Sequence, residues 1–265
     1  MVNIYTHPED HQRLEPGSTF RFQCHSGLAC FNQCCRQPTI ILKPYDILRL
    51  RRRLGITSTA FLARYTVRVM EEASGLPLRP LALAGEEAGG CPFLDAVQGC
   101  TVYEDRPAAC RLFPVIQGSS LTEGVIHSDY FLKKLDFCQG LADGPPWTLE
   151  QWRIDQGLAP YDECNDEWVA ILLQQGARPP VHGAPPSAHL FELAVYDLDA
   201  LRRFVLESAF ASTHAITEEV AALLRQSDEA LLRFGYAYAR LVLGLAEAAQ
   251  FQATLRRLAP SPGGS

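Results

Sequence analysis

The sequence predicts a predominantly helical α+β fold, in which an irregular cysteine-rich core with short strands precedes a helical C-terminal region. Two observations lead to this prediction. Eight of the nine cysteines lie between residues 24 and 138, among glycines, prolines and short apolar alternations that are typical of turns and strands. Beyond residue 188, apolar residues recur mainly at helical spacing. The chain of 265 residues is 47% hydrophobic, which is ample for a buried core.

The chain divides into two predicted parts. Residues 1–175 form the cysteine-rich domain, and residues 188–258 form the mainly helical region. Residues 176–187, GARPPVHGAPPS, have the Pro- and Gly-rich composition of a linker. Residues 259–265 are predicted to be a disordered tail.

Strands, two helices and a loop are expected before residue 90. The alternating apolar residues of STFRFQC favour a short strand, and the run TIILK favours another. A proline in the first turn and Gly55 at the end predict a helix over 44–54. A second helix is expected over 58–70, followed by a Pro- and Gly-punctuated loop, LPLRPLALAGEEAGG.

The middle of the chain is predicted to alternate turns with short elements. The second group of cysteines falls on turns, and a short helix is expected from Tyr103 to Arg111. A hairpin is expected next, turning at residues 118–120. Thr148 and Gln151 form a capping-box pattern, which predicts a helix start.

The C-terminal region reads as one strand and three helices. The run HLFELAVY favours a strand, and DLDALRRFVLESAF and ITEEVAALLRQ favour helices. A long helix, capped by Ser227, is expected to run to residue 258.

The cysteine clusters are the main functional signal. They are formed by Cys24, Cys30, Cys34, Cys35, Cys91, Cys100, Cys110 and Cys138. Buried thiols could explain one or two of these, but not eight within about 115 residues. Disulfides are disfavoured by the adjacent pair Cys34–Cys35, because two neighbours rarely reach separate partners. This density of thiols therefore predicts a metal-binding core.

The redox state of the cellular compartment decides whether clustered cysteines act as thiolate ligands or form disulfides. The N-terminal segment MVNIYTHPEDHQRLEPG is polar and has no apolar stretch of the kind found in secretory signals. No run of about 18 apolar residues is present, so no membrane span is expected. We therefore expect a cytoplasmic protein with reduced thiols.

Several short sequence motifs resemble those of a known family. CHSGLACFNQCC, KPYDILRLRRRLGI, FLARYT, CPFL, GCTVYEDRPAACRLFP and FCQG are similar to those of the YkgJ-type cysteine-cluster proteins, which have a CxxCxxCC-like signature. The resemblance covers roughly residues 20–170. The first cluster departs from the compact form, because it reads C-x5-C-x3-C-C. The resemblance implies a domain that chelates zinc or iron.

The identity of the metal stays open at the level of sequence. A closed zinc site and an iron–sulfur cluster, such as a 4Fe-4S cluster, both take four thiolates. Two four-cysteine sites would use all eight cysteines, and one site with four spare thiols fits equally well. His25 and His127 are weaker candidate ligands, and Cys164 is expected to be a packing thiol.

The net charge of the chain and its distribution indicate which kinds of molecule the protein could bind. The formal net charge of −6 argues against nucleic acid as a partner, yet residues 1–70 hold ten basic and four acidic residues. Much of this excess is the run Arg49, Arg51, Arg52 and Arg53. We expect these arginines to form a solvated helix face and to balance the charge of the thiolates, and an acidic protein partner at the Arg49–Arg53 face is the alternative.

Three classes of function fit the sequence. The first is a metal-binding protein with a structural, metal-handling or redox role. The second is a cluster-dependent enzyme; the flagellin lysine methylase family carries a similar cysteine signature, so methyl transfer to protein lysine is an analogy. The third is a protein-interaction module whose fold a metal holds together. No nucleotide-binding or nucleophile-elbow motif is found, and no catalytic residue is assigned.

Overall fold

The computed structural model describes residues 11–36, 38–84, 90–95, 97–133, 135–142, 144–178 and 187–258. Short antiparallel strands occupy the N-terminal half and helices the C-terminal region, which confirms the predicted α+β class. The strands are β1 (His11–Arg13), β2 (Thr19–Arg21), β3 (Ile41–Leu42), β4 (Val69–Met70), β5 (Pro77–Pro80), β6 (Leu94–Asp95), β7 (Gly99–Cys100), β8 (Val115–Thr122), β9 (Val125–Lys133) and β10 (Pro146–Thr148). The helices are α1 (Pro44–Leu54), α2 (Ser58–Tyr65), α3 (Ala108–Leu112), α4 (Leu149–Asp155), α5 (Ala159–Gly176), α6 (Ala188–Tyr196), α7 (Leu198–Glu207), α8 (Phe210–Thr213), α9 (Glu218–Gln226), α10 (Asp228–Val242) and α11 (Ala248–Leu258).

Helix α1 has the predicted bounds because its ends are encoded locally. Pro44 lies in the first turn, and the Asp46 carboxylate accepts a hydrogen bond from the Lys43 backbone N–H at 2.8 Å. Gly55 ends the helix with a left-handed backbone, φ 64°. Such a conformation carries the least strain for glycine.

The second predicted helix is too long. Thr57 caps α2 by accepting a hydrogen bond from the Ala60 N–H, but the helix ends at Tyr65. Strand β4 follows and pairs with β5, which also pairs with β3. The expected loop therefore contains the central strand of a small sheet, and its residues 85–89 lie outside the described residues. The β-branched Val67 and Val69 suit this extended pairing better than a helix.

The hairpin exists, but its turn was misplaced. Strands β8 and β9 pair from Val115↔Leu132 to Thr122↔Val125, and β1 pairs with the other edge of β9. The turn is made by Glu123 and Gly124, both with positive φ, rather than by residues 118–120. Two consecutive positive φ values match the twist of a two-residue hairpin loop.

The predicted short helix near residue 103 is split in two. A 3-10 turn covers Tyr103–Asp105, and α3 begins after Pro107. By contrast, Thr148 forms the predicted capping box with Gln151 at the start of α4. Trp152 of α4 is buried and packs edge-on against two aromatic rings of the N-terminal segment, Phe20 and Phe22.

The C-terminal region is helical throughout its described residues. The predicted strand HLFELAVY is wrong, because it forms α6. Its apolar residues are buried at Phe191, Ala194 and Val195, so a short apolar run can be a buried helix as easily as a strand. The predicted long helix is two helices, α10 and α11, separated at Gly244, which has φ 65°. Ser227 caps α10 as predicted.

Helix α5 is the longest helical element in the described residues, and the sequence patterns above predict no element there. Its buried residues lie on several of its sides, so it has little amphipathic periodicity. It packs between α1 and α10 and joins the two predicted parts through one apolar core. Most of the predicted linker, residues 179–186, lies outside the described residues.

Polar contacts also connect the two parts. Ser58 at the start of α2 donates from its Oγ to Asp197 at 2.7 Å, and its backbone N–H donates to Asp199 at 2.6 Å. The arginine run lies on α1 and faces acidic residues of the same chain. Arg51 is buried and paired with Asp228, so the prediction that the run faces solvent is wrong for this residue.

No helix within the described ranges has both the length and the apolarity needed to cross a membrane.

Candidate metal centre

The first and second cysteine clusters meet through their backbones. The Cys91 N–H donates to the Cys35 carbonyl at 2.8 Å, although the two residues are 56 positions apart. Gly90 makes this approach possible. A Cβ atom built on it would lie 2.7 Å from the carbonyl oxygens of Cys35 and Arg36, and its φ of 120° also suits only glycine.

The segment that carries Cys138 meets the beginning of the first cluster. The Gln139 N–H donates to the Cys30 sulfur at 3.3 Å. The Gln23 N–H donates to the Gly140 carbonyl at 3.0 Å, beside Cys24. A Cβ atom on Gly140 would clash with the Gln23 carbonyl, so the short FCQG word needs its glycine here.

The vicinal pair lies in a 3-10 turn, Gln33–Cys35, which begins after Asn32 in a left-handed conformation, φ 65°. Asparagine is one of the few residues besides glycine that adopt this conformation readily. The two sulfurs of Cys34 and Cys35 are 3.9 Å apart. A hydrogen bond from Cys35 lowers the pKa of the Cys34 thiol to about 7, and the same contact raises the pKa of Cys35.

The second cluster is shaped by two tight turns. The Cys91 carbonyl accepts a hydrogen bond from the Leu94 N–H at 3.0 Å, and Leu94 pairs with Cys100 across β6 and β7. The Asp95 carboxylate accepts the backbone N–H groups of residues 97 and 98, which closes the turn between these strands. Cys110 lies on α3, whose first residue, Ala108, donates its N–H to the Asp46 carboxylate at 2.9 Å.

The thiols of Cys24, Cys30, Cys34 and Cys138 act on one another electrostatically. Burial, together with the charges of the other three, raises the pKa of Cys24 to about 11. Burial also raises the pKa of Cys138, and the charges of Cys30 and Cys34 add to it. Lys133 is the cation that helps to lower the pKa of Cys34.

The thiols of the second cluster form a comparable set. Burial raises the pKa of Cys110, and the charges of Cys91, Asp46 and Cys100 raise it further. Burial also raises the pKa of Cys100, and Arg106 opposes that rise. The Cys110 side chain nonetheless stays exposed to solvent.

These charges explain what a cation would do here. Crowded thiols in a partly dry environment hold their protons, because neighbouring thiolates repel. A bound cation reverses that balance, because it deprotonates a coordinating thiol outright. Among the described residues, no three Cys, His, Asp or Glu side chains are already closed around a metal position.

The chemistry of the donors fits zinc or iron, because both metals are bound by sets of four thiolates. The described cysteines are free thiols, and the eight clustered ones are exposed or half-buried. Their assignment as ligands stays a prediction. Three charged residues that no sequence motif points to as part of the site lie beside them: Lys133, Arg106 and Asp46. Of these three residues, Arg106 is the one that the sequence itself draws attention to, because it directly precedes Pro107 at the start of α3.

The remaining candidates lie elsewhere. Cys164 is buried in α5, as expected of a packing thiol. His127 is exposed on β9 and faces Ser120 across the hairpin. His25 is exposed, and its Nδ1 accepts a hydrogen bond from the Gly27 N–H at 3.2 Å.

The arginine run does not supply the charge beside the thiols. Arg49 pairs with Asp105 at 2.6 Å, and Arg52 pairs with Glu229 at 2.6 Å. Arg51 pairs with Asp228. The expected role as counter-charge is therefore taken by the two cations named above.

Comparison with known proteins agrees with this geometry. Residues 23–139 match the family model described as "CxxCxxCC: Putative zinc- or iron-chelating domain". This segment carries the cysteine-cluster domain. The match confirms the resemblance drawn from the sequence words, and it supports metal binding with zinc or iron as the metal. No curated protein and no solved structure matches the chain.

Proposed function

We propose that this protein holds zinc or an iron–sulfur cluster through its clustered thiolates, and that the helical region serves as the scaffold. The proposed ligands are Cys24, Cys30, Cys34, Cys35, Cys91, Cys100, Cys110 and Cys138. The observation that supports this best is the hydrogen bond from the Cys91 N–H to the Cys35 carbonyl, which unites clusters far apart in sequence. Buried packing thiols would not need such an arrangement, because each would sit in its own apolar contact.

The chain's own residues would do three things for the metal. The glycines at positions 90 and 140 let backbone segments approach closely enough to present their cysteines together. Lys133 and Arg106 place positive charge beside thiolates, which a four-thiolate zinc site needs because its formal charge is about −2. When bound, zinc would supply a cross-link, and an iron–sulfur cluster would add one-electron chemistry.

The second candidate is a cluster-dependent enzyme, which would bind its substrate in a cavity beside the candidate centre. The cavity has a volume of about 230 Å³ and includes Ala109, which precedes Cys110. Apolar residues such as Trp168 line it together with charged residues, among them Asp46 and Asp162. Lys43, Lys133 and Arg153 also line it, and Arg153 pairs with Asp162 at 2.7 Å, so the charge of the cavity is mixed. Methyl transfer to protein lysine enters here only by analogy with the flagellin lysine methylase family.

The interaction-module alternative gains no support from the arginine run. Three of its four members pair with carboxylates of the same chain, so the face offers little free charge to an acidic partner. That partner stays a prediction.

Elemental analysis of protein purified without oxygen and under reducing conditions tests the proposed function. We expect zinc or iron bound in whole-number ratios to the chain; a colourless protein with zinc indicates the structural role, and a brown protein indicates iron–sulfur. Cys34→Ser and Cys110→Ser should lose metal, whereas Cys164→Ser should retain it. Stably folded, metal-free protein with intact disulfides would contradict the proposal.

The enzyme candidate has a separate test. Metal-loaded protein should bind a peptide containing lysine more tightly than the same peptide with norleucine, and Asp162→Asn should remove that preference. Equal binding of both peptides would count against a cationic substrate in the cavity.

A further inference from the structure

We propose that the eight thiols form two four-thiolate metal sites, and that the adjacent residues Cys34 and Cys35 are divided between them. The first site takes its ligands from Cys24, Cys30, Cys34 and Cys138. The second takes its ligands from Cys35, Cys91, Cys100 and Cys110. This division rests on the proposed metal-binding function and gives it a stoichiometry of two.

The first group is defined by contacts between the start of the chain and the turn after Cys138. The Cys30 sulfur already accepts a hydrogen bond from the Gln139 N–H, the residue after Cys138. Cys24 follows Gln23, whose N–H binds the Gly140 carbonyl. None of these contacts involves the segment 90–112.

The second group is defined by a different set of backbone contacts. The Cys91 N–H binds the carbonyl of Cys35, not that of Cys34, and the Cys91 carbonyl binds the Leu94 N–H. Leu94 in turn pairs with Cys100. Cys110 joins this group because it follows Cys100 along the same segment, on α3.

The adjacent pair is the boundary between the groups. Its sulfurs are 3.9 Å apart, close to the roughly 3.8 Å between two ligands of one zinc with Zn–S bonds of about 2.3 Å. Distance alone therefore assigns nothing, and the neighbours decide. The Cys91 N–H binds the Cys35 carbonyl, which places Cys35 with the second group. Cys34 is then the fourth thiol of the first group.

Cadmium NMR on the full, reduced chain tests the division. Cadmium replaces zinc at thiolate sites, and its resonance moves when a sulfur ligand is exchanged for a nitrogen. We expect two all-sulfur resonances in the unmodified protein. In Cys24→His/Cys34→His only one should move, because both replaced ligands belong to the first site. In the matched variant Cys24→His/Cys35→His both should move, because each site exchanges one ligand.

A correlation between cadmium and the cysteine Hβ protons of the unmodified protein gives the same answer without any variant. Cys34 and Cys35 should correlate with different cadmium ions. Correlation with one and the same ion overturns the division, as does a single cadmium per chain, and in both cases the proposed metal-binding function stands. Failure of the reduced protein to hold cadmium, zinc or iron at all instead overturns the proposed function.

Discussion

The cysteine-rich region and the helical region are held together in different ways. In the helical region, Phe191, Leu201 and Phe234 are fully buried, and α6 packs along α10. In the cysteine-rich region, the turn Gln33–Cys35 buries no residue, and β6 and β7 have two residues each. Apolar burial can stabilise the first region, but the second has too little of it around its cysteines. We infer that the second depends on metal cross-links for a fixed conformation.

Metal removal should separate the two regions most strongly. A structural zinc site contributes about 10 kcal/mol or more to folding, so a chelator with reductant should expose the amides of residues 90–112 to hydrogen exchange. The amides of α6 and α10 should stay protected, because their burial needs no metal. Exchange measured by mass spectrometry checks this. Equal loss in both regions would show that they unfold as one unit.

Overpacking of the contact between α6 and α10 should destabilise the helical region without changing the metal content. A Cβ atom on Gly235 of α10 would overlap the Ala194 carbonyl of α6. Gly235→Ala should therefore lower the free energy of unfolding by about 3 kcal/mol or more at full metal content. Gly118→Ala is the matched control, because its Cβ would make only an ordinary contact, 3.7 Å from Phe131. Comparable losses in both variants would contradict this account of the α6–α10 contact.

The ion pairs between the regions should contribute less and should depend on pH. Burial raises the pKa of Asp228, but the Arg202 hydrogen bond and the charges of Arg51 and Arg52 outweigh it and lower the pKa. The contribution of Asp228 to the free energy of unfolding is therefore fully present above the pKa of about 3.9 that it has in the unfolded chain. This contribution is lost as the pH falls through the lower pKa of the folded protein.

Asp228→Asn should consequently lower the free energy of unfolding by about 3 kcal/mol at pH 7. The free energy of unfolding of this variant should also fall less steeply between neutral and acidic pH. Urea unfolding between about pH 7 and pH 2 measures both effects. The exposed Asp155→Asn is the control and should change neither. An unaltered pH dependence in Asp228→Asn would mean that this cluster of arginines and carboxylates does not couple the regions.

Cys164→Ser should have the smallest effect on stability, and it tests whether Cys164 is a metal ligand. Cys164 is buried in α5, so a hydroxyl there should cost about 1 kcal/mol with no loss of metal. Cys110→Ser should lose metal and destabilise the cysteine-rich region. Cys164→Ala controls for the buried hydroxyl. Metal loss from Cys164→Ser would mean that α5 belongs to the site.

The elements that the sequence determined by itself are those encoded within one turn. The Asp46 bond to Lys43, the Thr148–Gln151 box and the Ser227 cap each join groups three residues apart, so the neighbouring sequence is sufficient. The order of the cysteines likewise indicated, before any coordinates, the zinc- or iron-chelating domain that the family model matches over residues 23–139.

The tertiary structure alone decided everything that depends on distant partners. Residues 189–196 became a helix because α10 covers them, and Val69 and Met70 became a strand because β5 pairs with them. Arg51 turned inward because Asp228, 177 residues away, meets it. For the same reason the grouping of the cysteines could not be read from their spacing, since the contacts from Cys35 to Cys91 and from Cys30 to Gln139 form only when the chain has folded.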